Sequence, residues 1–403
     1  MTKPRNENEE VFKETLLEQL PTQWKVLFLD EIAVVTMGQS PDSKYYNVVG
    51  DGLPLIQGNA DCKNGKTQPR FWTTQITKTC DPGDLILSVR APVGPVAKSS
   101  HHACIGRGVC AIKPTQNVNF LFHIFISLEN KWGKISQGST FDAVTSSQVK
   151  KLRIAVPPIE EQEKISAIIS VWGHAIERVQ WLIEAKQRQK AQLVSRLLSG
   201  QIRFPGFQDE WKQVKLGSFL HPKFRKVVKP AGAYLRLGIR SHGKGTFTSV
   251  VDDPETIALT HLFQARKDDL IVNITFAWEG AIALVGPDGD GALVSHRFPT
   301  YVFDTSKMLP EYFRHLMVTD RFFYELDLIS PGGAGRNRVM NKSDFLKIMV
   351  TIPGVEEQKK IAGVLGEMDE QIVLLKKYLE KLKEQKKGLM QKLLTGEIRV
   401  KVD

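Results

Sequence analysis

Cysteine is scarce in this sequence: four residues in 403, Cys62, Cys80, Cys104 and Cys110, all in the first half and none spaced as a CxxC pair. That excludes a disulfide framework and leaves reduced thiols as the expected state. The stretch His101-His102-Ala103-Cys104 with Cys110 offers side chains that can ligate metal, but without the paired spacing of a zinc site, so no metal is expected. No run of about twenty apolar residues occurs, which excludes a membrane-spanning helix. The opening MTKPRNENEEVF is polar and acidic where a secretory leader needs a basic start and an apolar core, so a cytoplasmic protein is expected. Catalytic signatures are missing as well. There is no P-loop, no dinucleotide fingerprint, no HExxH helix, no Ser-His-Asp set and no Asn/Asp-Pro-Pro-aromatic loop. The acidic stretch Glu161-Gln162-Glu163-Lys164 stands at a predicted helix start, where the helix dipole accounts for it.

What the sequence does hold is a soluble composition, 42% hydrophobic and 25% charged, with a net charge of +11 and a pI near 9.3. Its length exceeds what one core holds, so at least two domains are expected. Counting Lys and Arg against Asp and Glu, residues 25–156 carry +6 and residues 204–352 carry +3. Two basic globular segments point to a polyanionic partner.

An internal repeat sets the organisation. Residues 157–203, PPIEEQEKI to LLSGQIR, align without a gap onto 353–399, PGVEEQKKI to LLTGEIR, with about a third of positions identical. Upstream the match weakens and needs gaps: Trp24-Lys25 against Trp211-Lys212, GDLILSV at 83–89 against DDLIVNI at 268–274, ISQGSTFDAV against ISPGGAGRNRV. Each repeat reads as one long helix entered at proline (Pro157-Pro158, Pro353) and stopped at Gly200 or Gly396. The second helix carries a heptad seam of Ile361, Leu365, Met368, Ile372, Leu375, Leu379, Leu382, Leu389 and Leu393, interrupted at Lys386. The first has Ile165, Ile169, Trp172, Ile176, Val179, Ile183, Leu193 and Leu197, with Lys186 and Lys190 in the seam. Helices of about 57 Å at 1.5 Å per residue are expected to pair within the chain as an antiparallel coiled coil.

The predicted organisation is α+β: an N-terminal helical segment (1–22), a globular domain (23–156), a spacer helix (157–203), a second globular domain (204–352), and a second spacer helix with its tail (353–403), related by a pseudo-two-fold axis. In the globular parts, runs such as LPLIQG, DLILSV, GALVS and TYVFD read as strands, while NFLFHIFISLENKW and LPEYFRHLMVTDRFFYEL read as helices. The glycine run Gly286-Pro287-Asp288-Gly289-Asp290-Gly291 reads as a hairpin turn.

Loops that combine amides, cations and glycine supply the groups that base edges and phosphates require. In the first domain these are Gln39, Ser40, Lys44 and Tyr45, then Gln57 and Asn59, then Arg90, Arg107, and Ser139 with Thr140. In the second they are Arg236, Arg240, His242 and Lys244, then His296 and Arg297, then Arg336, Asn337 and Arg338. Arg107 and Arg297 fall at corresponding places, as do the GST and GGAGRNR segments. A DNA-binding protein without catalysis is the leading reading. A stand-alone DNA methyltransferase or nuclease and a coiled-coil protein scaffold are the alternatives.

Over essentially its whole length the chain resembles the specificity subunits of type I restriction-modification systems. The resemblance rests on GQSPDSKYYN and GLPLIQGNAD at 38–61, PGDLILSVRAPVG at 82–94, QGSTFDAVTSSQVKKLRIAVPPIEEQEKI at 137–165 and the two LL(S/T)G(Q/E)IR endings. It implies two target-recognition domains, each reading one half of a bipartite site in double-stranded DNA, with the helices setting the spacer. It also implies two modification subunits that use S-adenosylmethionine and restriction subunits that use ATP and Mg²⁺, with no cofactor in this chain. The helices and the apolar segment Val11 to Leu20 are the expected partner surface.

Overall fold

The computed structural model describes residues 20–132, 143–332 and 338–402. Its longest elements are two 40-residue helices, α1 (Ile159–Leu198) and α2 (Val355–Leu394). Each ends just before a glycine in the left-handed region, Gly200 at φ 73° and Gly396 at φ 75°, where a side chain would strain the backbone. Two compact units divide the chain, one of residues up to Gln180 with Lys377 onward, the other Trp181–Lys376. Each unit therefore owns half of each long helix.

Within each unit the two halves run antiparallel. In the first, Ile165 and Ile169 share a core with Met390, Leu393 and Leu394. In the second, Leu197 shares a core with Ile361 and Leu365, while Lys190 Nζ meets Asp369 at 2.5 Å and Lys186 Nζ donates to Gln371 Oε1 at 3.0 Å. Numbers rise along one helix as they fall along the other. Every seam residue named above is buried or half-buried, and the lysines that interrupt α1 find polar partners on α2 in place of apolar ones.

The repeat continues into the sheets. In the first unit one sheet runs in the order Ala33–Met37, Val109–Pro114, Leu85–Ser88, Val96–Lys98, Lys66–Thr67, Cys62–Lys63. The other runs Tyr46–Asn47, Phe71–Thr73, Leu53–Ile56, Ala103–Ile105, Thr79–Cys80. In the second unit the corresponding sheets are Leu220–Pro222, Thr300–Phe303, Leu270–Val272, Ile282–Leu284, and Thr246–Val251, Tyr234–Ile239, Leu293–Val294, His261–Gln264, Lys226–Val228. Both second sheets centre on a parallel pair, Leu53–Ile56 with Ala103–Ile105 and Tyr234–Ile239 with Leu293–Val294, flanked by antiparallel neighbours. The units differ at the edges. The first adds Tyr46–Asn47 and the pair at 62–67, and the second adds Lys226–Val228. Between each pair of sheets lies a small apolar core, including Ile56, Ile86 and Ile105 in the first unit and Leu237, Ile271 and Val294 in the second. Alternation of side chains along a strand gives each sheet one face for that core.

Three sequence readings need correction. The stretch predicted as helix at 309–326 is two helices, Pro310–Leu316 and Asp320–Leu328, because the Thr319 hydroxyl accepts from Phe322 N–H at 3.3 Å and caps a new start. The glycine run at 286–291 is no hairpin: the strands on either side, Ile282–Leu284 and Leu293–Val294, belong to different sheets. At Gly289 a Cβ would sit 2.7 Å from Leu237 Cδ1, so the glycine is there for close packing. The third concerns the acidic helix starts. Glu160 and Glu356 are exposed and fit the dipole account, but Glu161 and Glu357 are 1% and 2% exposed. Glu161 accepts from Trp24 Nε1 at 3.3 Å and is held by Arg399, whose Nε lies at 2.9 Å. Glu357 accepts from Trp211 Nε1 at 3.2 Å and from Arg203 Nε and Nη2 at 2.9 and 2.7 Å. The arginine closing each LL(S/T)G(Q/E)IR ending thus clasps the glutamate opening the other helix. Beside each clasp a buried glutamine ties the helix start to the domain: Gln162 accepts from Asn117 N–H at 3.1 Å, and Gln358 from Leu309 N–H at 3.0 Å.

Candidate nucleic-acid interface

In the first unit Ser40, Gln57, Asn59, Arg90 and Arg107 line one open cavity of ≈ 590 Å³. They come from four connections between strands, and glycines bring those connections together. A Cβ on Gly38 would lie 2.1 Å from Gly106 O, and one on Gly108 would lie 2.2 Å from Gln57 O. Ser40 Oγ accepts from Arg107 N–H at 3.0 Å, which sets the backbone of the Gly106-Arg107-Gly108 loop. Among the described residues neither the Arg90 nor the Arg107 guanidinium has a hydrogen-bond or ion-pair partner, and both are exposed. Two uncommitted cations at the mouth of a polar cavity suit an anionic ligand.

Of the other first-domain candidates, the described residues Gln39, Lys44 and Tyr45 lie outside that lining. Gln39 is exposed, with its N–H on Ile105 O at 2.9 Å. Lys44 pairs with Asp42 at 3.3 Å and stands 5.1 Å from the Tyr45 ring centroid. Ser139 and Thr140 lie outside the described residues, although Ala143, just beyond them, bridges to Arg90.

Of the second-domain candidates, Arg240, His242, Lys244, His296 and Arg297 occupy equivalent connections, whereas Arg236, expected in a loop, lies within the strand Tyr234–Ile239, paired with Ser249 and Leu293 on its two sides. Gln57 and Asn59 follow Leu53–Ile56, and Arg240, His242 and Lys244 follow Tyr234–Ile239. Arg107 precedes Val109–Pro114 as His296 and Arg297 precede Thr300–Phe303, and Arg90 follows Leu85–Ser88 as Thr275 and Trp278 follow Leu270–Val272. Here the loops meet around residues 273–280. His242, at φ 61°, donates its N–H to Glu279 O at 2.8 Å, Ser241 Oγ donates to Glu279 Oε2 at 3.0 Å, and Arg297 Nη1 donates to Thr275 Oγ1 at 3.2 Å. Arg240 is turned onto its own hairpin, donating to Thr246 O at 2.7 Å with its guanidinium 4.9 Å from the Phe247 ring centroid. Lys244, Arg236 and His296 are exposed, and the His296 carbonyl accepts from Lys342 Nζ at 3.2 Å. Arg338 bonds Ser330 O and Asp327 O at 3.0 Å each, pairs with the Asp327 carboxylate at 2.8 Å and lies 5.2 Å from the Trp278 ring centroid, so its donors are largely spent inside the domain. Arg336 and Asn337 lie outside the described residues.

Sequence reading missed Tyr46, Asp61, Trp278 and Glu279. Tyr46 sits within a motif already singled out, but its partner is set by the fold. Trp278 had an available signal, a tryptophan two residues before Gly280. Among the described residues no three His, Cys, Asp or Glu side chains group as a metal site, and no helix is long and apolar enough to cross a membrane. Burial pushes the Cys62 thiol up to about 11 and the Cys110 thiol up to about 12, while His102 pairs with Asp81 at 2.8 Å.

Residues 21–187 and 208–384 each match the type I restriction modification DNA specificity domain. The chain belongs to that family. Specificity-subunit relatives from Methanocaldococcus jannaschii agree: one named provisionally for type I restriction enzyme MjaX is 33% identical over 197 residues, 48% of this chain and 46% of its own. The MjaIX specificity subunit is 30% identical over 44% of each chain, and the MjaVIII specificity subunit 23% over 69% of this chain and 70% of its own. The chain thus spans less than half the length of the first two. Among solved structures, the type I restriction-modification S subunit from M. genitalium superposes with a TM-score of 0.58 at 14% identity, covering 97% of this chain and 99% of that one. A chain from a structural study of complex assembly and conformational transition of the type I R-M system gives 0.60 at 18%, covering 94% and 100%. The HsdS subunit from Thermoanaerobacter tengcongensis gives 0.52 at 18%, covering 95% and 99%. At such identities the specificity-domain neighbours establish the fold.

Proposed function

We propose that this chain is the DNA-recognition subunit of a type I restriction-modification complex and carries no catalysis of its own. Its two domains would each read one half of a bipartite site, with α1 and α2 setting the spacer. Two modification subunits binding S-adenosylmethionine would methylate, and restriction subunits using ATP and Mg²⁺ would translocate and cut. The observation that carries this reading is the pairing of sameness and difference: two domains share the order of their common strands, yet equivalent connections present Gln57, Asn59, Arg90 and Arg107 in one and Arg240, His242, Lys244 and Arg297 in the other. Common frames with unlike loop chemistry suit two readers of different sequences.

The test is DNA binding by the purified full-length chain, alone and with its modification subunits, in S-adenosylmethionine and Mg²⁺. Affinity is expected to fall about 10³-fold between 50 and 200 mM salt if about six phosphates are neutralised, and methyl transfer is expected only with the partners present. Transfer or cutting by the chain alone would overturn the non-catalytic role. Affinity insensitive to salt would favour a protein scaffold.

A further inference from the structure

We propose that Gln57 reads one adenine of the first domain's half-site, and that Tyr46 fixes the orientation of its amide. This rests on the DNA-reading role above and assigns one contact within it. Gln57 is the most firmly positioned of the cavity-lining candidates. Its N–H donates to Asp61 Oδ2 at 2.8 Å, and Asp61, 1% exposed, is held in turn by Arg70 Nε at 2.8 Å. Its carbonyl side abuts Gly108, where a Cβ would come within 2.2 Å, and a Cβ on Gly106 would lie 3.3 Å from Gln57 Cα. The main chain is thus held on both sides.

The side chain is oriented by a short relay. Pro41 O can only accept, and Tyr46 OH stands 3.0 Å from it, so the phenol proton goes to Pro41. The phenol oxygen is then left as an acceptor, and Gln57 Nε2, at 2.9 Å, must be the group that donates to it. The relay thus fixes which end of the amide is nitrogen. It leaves one N–H of Nε2 and the whole of Oε1 without a partner among the described residues, on a side chain that lines the cavity. One donor beside one acceptor in a fixed plane complements N7 and N6–H₂ of adenine in the major groove, and no other base edge offers that pair in the same way. Arg90 and Arg107, unpaired and lining the same cavity, supply the charge that holds the neighbouring backbone. In the second domain the equivalent connection begins with Arg240, which is folded onto Thr246 and Phe247, so the contact has no counterpart there.

The experiment is sequencing of methylated genomic DNA from cells carrying the full chain with the modification subunits of its system. The unaltered chain must give a bipartite motif, and its absence would sink the DNA-reading role itself. Given that motif, Gln57→Ala should relax one adenine position in one half by roughly 5- to 150-fold, the scale of a bidentate base contact. Tyr46→Phe, which keeps the ring and frees the amide to rotate, should relax the same position by about tenfold. Gln57→Glu leaves two acceptors and should move the preference there toward cytosine, whose N4 donates. A motif unchanged in Gln57→Ala, or weakened evenly across both halves, overturns the assignment. The shift toward cytosine separates reading from folding, since a misfolded domain loses preference and gains none.

Discussion

His123 and His315 stand on equivalent helices, Val118–Leu128 and Pro310–Leu316, and each has a ring nitrogen with no hydrogen-bond partner among the described residues. Burial, with Lys386 and Lys98 nearby, pushes His123 down to about 3. Burial, with Arg314 and Lys190 outweighing Asp369, pushes His315 down to about 4. Both rings are therefore neutral when folded, while the unfolded chain takes up their protons near 6.5. Stability is full above that value and falls as pH drops below it, by about 1.4 kcal/mol per pH unit for each ring, until the folded value is reached. Urea titrations between pH 7 and 5 should show this loss, and His315→Gln should make it shallower, whereas an equal slope would mean His315 titrates normally. At this scale residue types were legible and their commitments were not. Arg90, Arg107 and Gln57 could be picked out as donors in glycine-bearing loops, and they line one cavity. Nothing local distinguished Arg338, whose donors turn inward to Asp327 and Ser330, because those partners lie eleven and eight residues back.

The helices were the most legible elements, since a heptad seam and a glycine stop are short-range signals. The clasps were not, because their partners are far apart: Glu161 and Arg399 are separated by 238 residues and Glu357 and Arg203 by 154. A carboxylate at a helix start reads as a dipole partner until the fold buries it. The two sides of a clasp are unequal, with Glu161 at 1% exposure and the Arg399 side chain at 37%. Arg399→Ala strands a buried carboxylate and should cost about 3 kcal/mol, near the low end for buried pairs because the arginine is partly solvated. Glu161→Gln keeps an acceptor for Trp24 and releases an arginine that water can reach, so it should cost less. Unfolding midpoints that rank the two variants the other way would contradict this account.

For the molecule as a whole, the duplication and the α+β class were readable from one ungapped repeat, while the shared strand order lay beyond sequence, since the domains align only with gaps. If α1 and α2 set the spacer, one heptad added to each should change the spacer length and leave both half-sequences as they were, as read from the methylated motif; an unchanged spacer would refute it. The division into units has a further consequence, for the timing of biosynthesis. The unit Trp181–Lys376 is a single uninterrupted stretch, but the other is assembled from both ends of the chain. Ile165 and Ile169 belong to the same core as Met390, Leu393 and Leu394. That core stays unfinished on the ribosome while more than two hundred further residues are added, so the first domain to be translated is the last to be completed.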